Sequence, residues 1–198
     1  MGVAVQTYGK LTSTKLSKFL SLVLRHQPGV ADLELNPQGW VAIEELIAKC
    51  CKAGTRFTRA ELLAVVESSD KKRFTVSEDG TRIRAAQGHS IAVELGLAPS
   101  EPPPKLFHGT ATRFLDAIFA QGLTPKSRQQ VHLSADAATA ERVGQRHGKP
   151  AVLHVDALRM HQQGYAFFRA DNGVWLTDHV PAIYLSFGVP STSAGRVV

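Results

Sequence analysis

Ala98-Pro99-Ser100-Glu101-Pro102-Pro103-Pro104 interrupts the 198-residue chain near its middle. Proline has no backbone N–H and a fixed φ, so three in succession after Pro99 read as an extended spacer, not as part of a helix or inner strand. The expected organisation is therefore two lobes of nearly equal size, residues 1–98 and 105–198, each large enough for a small domain. Lys and Arg number 13 against 11 Asp and Glu over residues 1–104, and 10 against 6 over residues 105–198, so both lobes are basic. The ends, residues 1–11 and 189–198, read as frayed.

Before the seam, Leu16, Phe19, Leu20 and Val23 recur at helical spacing up to Pro28-Gly29, which stops the helix. Ile43, Leu46, Ile47 and Cys50 form a second stripe. Thr58-Arg59-Ala60-Glu61 has the form of a capping box ahead of Leu62, Leu63, Val65 and Val66, a third helix. Phe74 and Val76 then alternate with polar residues up to Glu78-Asp79-Gly80, and Ile83 resumes the pattern beyond that turn. Three helices followed by a hairpin describe a winged helix, a frequent nucleic-acid-binding module. Lys71, Lys72, Arg73, Arg82 and Arg84 make the hairpin basic; a solvated ribbon and a phosphate-binding wing both fit.

After the seam, short apolar runs alternate with helical patterns. Leu106-Phe107-His108, Val131-His132-Leu133-Ser134, 151–155, Phe167-Phe168, Val174-Trp175-Leu176 and Ile183-Tyr184-Leu185 read as strands. Phe114, Ile118 and Phe119 mark a helix ended by Gly122, 135–147 a second helix, and Asp171-Asn172-Gly173 a tight turn. The class expected is α+β.

Several chemistries have no support. Cys50 and Cys51 are adjacent, which suits neither a disulfide scaffold nor a zinc finger. Neither G-x-G-x-x-G after a strand nor a P-loop occurs, and G-x-S-x-G and H-E-x-x-H are absent. Glu141 is the single glutamate of the second lobe, so acid–base work by paired carboxylates is a poor fit. No apolar run is long enough to span a membrane, and no apolar signal core is evident. A soluble cytoplasmic monomer is expected. The formal charge of +6 favours an anionic partner without identifying it.

The residues that stand out are arginines and histidines. Arg25-His26 ends the first helix, where a cation is favourable on electrostatic grounds alone. Arg84 precedes the small-residue run Ala85-Ala86-Gln87-Gly88-His89-Ser90, and Arg128 lies in a polar loop before the Val131 strand. Each has a bland reading as a surface charge. Together they suit one multiply charged oxyanion, because a guanidinium stays ionised and matches phosphate through two parallel bonds. His108-Gly109-Thr110 and His132-Leu133-Ser134 each place a histidine and a hydroxyl at the end of a strand, an arrangement that suits a sugar and an amide.

Six blocks, taken in order, carry a resemblance. They are 16–26 (Leu16 to His26), 82–90 (Arg82 to Ser90), 106–110 (Leu106 to Thr110), 131–134 (Val131 to Ser134), 143–148 (Val143 to Gly148) and 172–177 (Asn172 to Thr177). Over residues 14–187 the chain resembles the KptA family of NAD-dependent RNA 2′-phosphotransferases; it departs at Ala86, where many members carry Asn. The resemblance implies a winged-helix RNA lobe and an ADP-ribosyltransferase-like NAD lobe. It implies that an internal RNA 2′-phosphate attacks C1″ of the NAD ribose and expels nicotinamide. The ribose 2″-hydroxyl then attacks phosphorus, freeing the RNA 2′-hydroxyl and ADP-ribose 1″,2″-cyclic phosphate.

The family's catalytic Arg-His-Arg-Arg set carries over to Arg25, His26, Arg84 and Arg128. His108, Gly109, Thr110, His132, Leu133 and Ser134 carry over as NAD-binding residues, and no metal is implied. Where protein-modifying ADP-ribosyltransferases usually hold a glutamate, this chain places Val180; a phosphate nucleophile is already ionised and explains that difference. An ADP-ribosyltransferase acting on another acceptor, and a non-catalytic winged-helix nucleic-acid binder, are the alternatives.

Overall fold

A computed structural model of the chain describes residues 12–69 and 72–187. The chain divides into two compact units, 1–95 and 96–198. Lys71 and both termini lie outside the described residues.

In the first unit, Thr12 caps α1 (Ser13–Arg25), which buries Leu16, Leu20, Val23 and Leu24. A 3-10 turn at Pro28–Ala31 follows. Then come β1 (Val41–Ala42), α2 (Ile43–Lys52), α3 (Arg59–Glu67), β2 (Phe74–Val76) and β3 (Arg82–Ala85). The capping box at α3 is complete, with the Thr58 side chain accepting from the Glu61 N–H and the Glu61 carboxylate accepting from the Thr58 N–H. At the hairpin turn, Asp79 accepts from the Thr81 N–H (3.0 Å) and hydroxyl (2.8 Å), while Gly80 takes a φ of +69°. That left-handed conformation is one glycine adopts without a Cβ clash.

The three strands pair antiparallel in the order β1-β3-β2. Ile83 and Ala85 of the central strand, each 0% exposed, face a core shared with the helices; Arg82 and Arg84 alternate to the other side. Cys50 belongs to that core, where burial pushes its thiol up to about 11, so it is inert as a nucleophile. The two-residue strand β1 is too short to leave a periodic signal in sequence.

The second unit contains two three-stranded antiparallel sheets. One orders β4 (Lys105–Ala111), β6 (Pro150–Asp156) and β9 (Leu185–Phe187) as β4-β6-β9. The other orders β5 (Val131–Leu133), β7 (Phe168–Arg169) and β8 (Trp175–Thr177) as β5-β8-β7. Reciprocal backbone bonds between Phe107 and Ser134, 2.9 and 2.8 Å, join β4 to the end of β5. Helices α4 (Leu115–Gln121), α5 (Ala137–Gly144) and α6 (Ala157–Gln162) complete the unit, with Leu106, Leu133, Val155, Met160 and Phe167 in its core.

Several expectations need correction. Ile183 and Tyr184 lie in a 3-10 turn, Ala182–Tyr184, and the strand begins only at Leu185. Tyr184 enters the core while Ile183 is 73% exposed, and the Tyr184 N–H donates to the Pro181 carbonyl at 3.1 Å, closing a turn instead of joining a sheet. The helix expected over 135–147 starts at Ala137, capped by the Asp136 side chain, and tightens into a 3-10 turn at Gln145–His147. Helix α6, six residues long, gave no readable periodicity. The proline-rich stretch packs onto the second unit: Pro99 bridges Phe168, the Ser100 N–H donates to the Phe167 carbonyl (2.8 Å), and Pro102 is buried. The fold is thus mixed α+β, and among the described residues no helix is long and apolar enough to cross a membrane.

Candidate active site

The first unit gathers Arg25, His26 and Arg84 around one buried histidine. Arg25, the last residue of α1, sends Nη2 to the Arg73 carbonyl at 2.9 Å, with its guanidinium 5.9 Å from the Phe74 ring centre. The side chain is therefore anchored to the hairpin, beyond the helix-terminal role that its position alone suggests. The Arg25 carbonyl accepts from the Ser90 N–H at 2.9 Å, and His26 Nδ1 shares a 2.9 Å hydrogen bond with Ser90 Oγ. Arg84 donates from Nη1 to the Leu95 carbonyl at 2.9 Å and stacks on Trp40, 4.6 Å from its ring centre.

His89, 3% exposed, sits among them. Burial, then the charges of Arg25, His26 and Arg84, holds its pKa down at about 4. It is neutral near pH 7, and its Nε2 is buried without a hydrogen-bond partner. In the sequence His89 is one member of the small-residue run after Arg84, and Trp40 carries no local signal of a role. Both are recognisable only once the strand register and the loop after β3 are known.

In the second unit, His108 Nδ1 donates to the His132 carbonyl at 3.2 Å, and His132 Nδ1 donates to the Gln130 carbonyl at 3.0 Å. In the neutral His108 ring this bond selects the Nδ1–H tautomer and leaves Nε2 as an acceptor. Burial lowers the His108 pKa, the bond to His132 opposes it, and the charges of His147 and Arg128 lower it further. The histidine is thus held neutral.

His108-Gly109-Thr110 lies inside β4, which runs on to Ala111, and does not end the strand. Gly109 has a packing duty: a Cβ there would overlap the Ala140 carbonyl of α5. Thr110 is 5% exposed and Leu133 is 1% exposed. Ser134, just past β5, is held by its backbone pairing with Phe107.

Arg128 lies on the loop between α4 and β5 and donates its N–H to the Pro125 carbonyl at 3.1 Å. The residue is exposed as a whole, yet the protein around its guanidinium, and then the charge of Arg146, lower its pKa from the usual arginine value. Arg146 and His147, on the 3-10 turn after α5, therefore join Arg128 and His108 in a second basic cluster. Val180 is wholly buried and pairs with Leu123 through two backbone bonds. Its neighbour Asp178 is exposed and accepts from Gln130 Nε2 at 3.3 Å. Among the described residues, no three His, Cys, Asp or Glu side chains lie together as a metal site requires.

Comparison with known proteins accounts for nearly the whole chain. Residues 12–179 match the model of the RNA 2′-phosphotransferase, Tpt1/KptA family. A probable RNA 2′-phosphotransferase of Agrobacterium fabrum is 61% identical over 181 residues, 91% of this chain and 97% of that protein. One from Acaryochloris marina is 59% identical over 85% of this chain and 93% of its own length. Another, from Streptomyces coelicolor, is 54% identical over 90% of this chain and 97% of its own length. The match spans α1 to β8 and includes every arginine and histidine placed above, and the chain belongs to the RNA 2′-phosphotransferase, Tpt1/KptA family.

Proposed function

We propose that the protein is an NAD-dependent RNA 2′-phosphotransferase, which transfers an internal RNA 2′-phosphate to the ADP-ribose portion of NAD. The gathering of Arg25, His26 and Arg84 about the neutral His89 is the observation that carries this reading. It supplies fixed positive charge to a dianion, and family membership supplies the identity of that dianion. The element order α1-β1-α2-α3-β2-β3 supports a winged-helix unit that binds RNA. The second unit is read as the ADP-ribosyltransferase-like NAD lobe.

The donor set fits NAD: His108 and His132 are tied through Nδ1 to backbone carbonyls, which fixes both rings, and Nε2 of the neutral His108 is an acceptor suited to a ribose hydroxyl. Bound NAD supplies an electrophilic ribose carbon with nicotinamide as leaving group. The phosphate nucleophile is already ionised, so no side chain need take its proton. Arg25, Arg84 and Arg128 are assigned to holding the phosphate in line and balancing its charge, work that electrostatic preorganisation does well. His26, hydrogen-bonded to Ser90 Oγ, is assigned to proton movement at the exchanging oxygens.

The test incubates the full chain with NAD and an oligonucleotide bearing one internal 2′-phosphate. The expected result is RNA with a plain 2′-hydroxyl, with nicotinamide released only when the phosphorylated RNA is present. Activity should be undiminished in EDTA. An unaltered oligonucleotide, or nicotinamide release with unphosphorylated RNA, would overturn the assignment.

A further inference from the structure

We propose that Trp40 is a positioning residue for Arg84, its indole face holding the guanidinium in place for the phosphate. The inference rests on the assignment of Arg84 to that phosphate.

The placement follows from register. Val41 pairs with Ile83 and Ala42 with Arg82, so the antiparallel ladder of β1 and β3 carries on to set Trp40 opposite Arg84. Opposed residues on one face of such a pair have their Cβ atoms about 5 Å apart, close enough for the side chains to meet. Arg84 occupies the central strand, with Thr75 of β2 as its partner on the other flank. The guanidinium Cζ lies 4.6 Å from the indole centre, within cation–π range, and Nη1 reaches the Leu95 carbonyl at 2.9 Å. Arg82, more exposed and 5.6 Å from the same ring, is the weaker contact.

The backbone that carries the indole is itself held. Asn36 Oδ1 accepts from the Trp40 backbone N–H at 2.8 Å and from the Gln38 backbone N–H at 3.0 Å, and the Asn36 backbone N–H donates to the Trp40 carbonyl at 3.0 Å. Gly39 closes this turn at a φ of +79°. A Cβ on Gly39 would stand 3.1 Å from Val93 Cγ1 and 3.5 Å from His89 Nε2, so the turn that carries Trp40 rests on the residues beside the arginine cluster. A free arginine samples many rotamers. Stacking on a ring removes that freedom in advance and leaves the in-plane N–H donors directed at the rim, where a bidentate oxyanion binds.

The experiment is a double-mutant cycle between Trp40→Leu and Arg84→Ala, read under enzyme excess by resolving substrate RNA, ADP-ribosylated RNA and product RNA. Trp40→Leu should slow the same step that Arg84→Ala slows, by about threefold to thirtyfold. It should cause little further loss once Arg84 is Ala. Trp40→Phe, which keeps a ring, should recover most of the rate. Circular dichroism and thermal unfolding establish that each variant is folded. If Trp40→Leu does not fold, the same cycle is run with Trp40→Phe, whose smaller loss should likewise vanish beside Arg84→Ala.

If Arg84→Ala loses activity while the Trp40 variant does not, or if the two losses multiply, the positioning role is overturned and the assignment of Arg84 stands. If Arg84→Ala is fully active, both fall together.

Discussion

Acidification should weaken the fold through His89, and the size of the effect can be worked from its surroundings. The folded chain protonates His89 only near pH 4, whereas an unfolded histidine takes up its proton near 6.5. Between those values the unfolded chain carries more protons, so stability falls as the pH drops through that window and levels off below it. At about 1.4 kcal/mol per pH unit, the full effect is at most about 3.5 kcal/mol, a large share of a typical small-domain stability. The charges of Arg25, His26 and Arg84 all act in the same direction, and His89 has no carboxylate among the causes of its shift to offset them.

The assay is urea unfolding at pH 7, 6, 5 and 4, for the wild type and for His89→Leu. Leucine has a similar volume and removes both the titration and the unpartnered Nε2, so the variant should match the wild type at pH 7 and hold its stability better at pH 4. His108 and His154 are also held below the usual histidine range and titrate in both proteins, so the difference between the two curves isolates His89. Parallel curves over the whole range would refute the reasoning.

Removing one charge-assisted bidentate phosphate contact costs about 1.5–3 kcal/mol, so Arg25→Ala, Arg84→Ala or Arg128→Ala should each slow turnover about ten- to a hundredfold. Because the phosphoryl step leans more on those charges, these variants and His26→Ala should let ADP-ribosylated RNA accumulate in a time course; full activity in all four would dismiss the phosphate site. His108→Ala and His132→Ala should instead slow formation of that species and raise the NAD concentration needed, a pattern visible in NAD titrations. Gly109→Ala should destabilise the second unit by about 3 kcal/mol or more, since the added methyl meets the Ala140 backbone carbonyl, not a movable side chain. Thermal unfolding checks this, and an unchanged midpoint would contradict the packing. A fragment of residues 105–198 should be inactive toward 2′-phosphorylated RNA, because Arg25, His26 and Arg84 of the assigned catalytic set precede it; turnover by the fragment would refute that.

The local code was sufficient wherever the determining contact lies within a few residues. The stripe Leu16, Leu20 and Val23, the Thr58–Glu61 box and the Glu78-Asp79-Gly80 turn all form where their pattern placed them, because capping, helical spacing and left-handed glycine are short-range physics. The ordered blocks from Leu16 to Thr177 were likewise enough to recognise the family that residues 12–179 match. What no local pattern could decide is who meets whom across the chain. Arg25 finds the Arg73 carbonyl 48 positions away, and His26 finds Ser90 at a separation of 64. Trp40 faces Arg84 only because β1 and β3 pair in one register, and a slip of one residue would turn it to the other side of the sheet. No local pattern shows that the missing Cβ of Gly109 makes room for the Ala140 carbonyl of α5. Ile183 and Tyr184 looked like a strand, and the core took one of them and left the other in solvent. Burial, charge proximity and register are properties of the folded chain, and they turned scattered basic residues into two clusters in which His89 and His108 are held neutral.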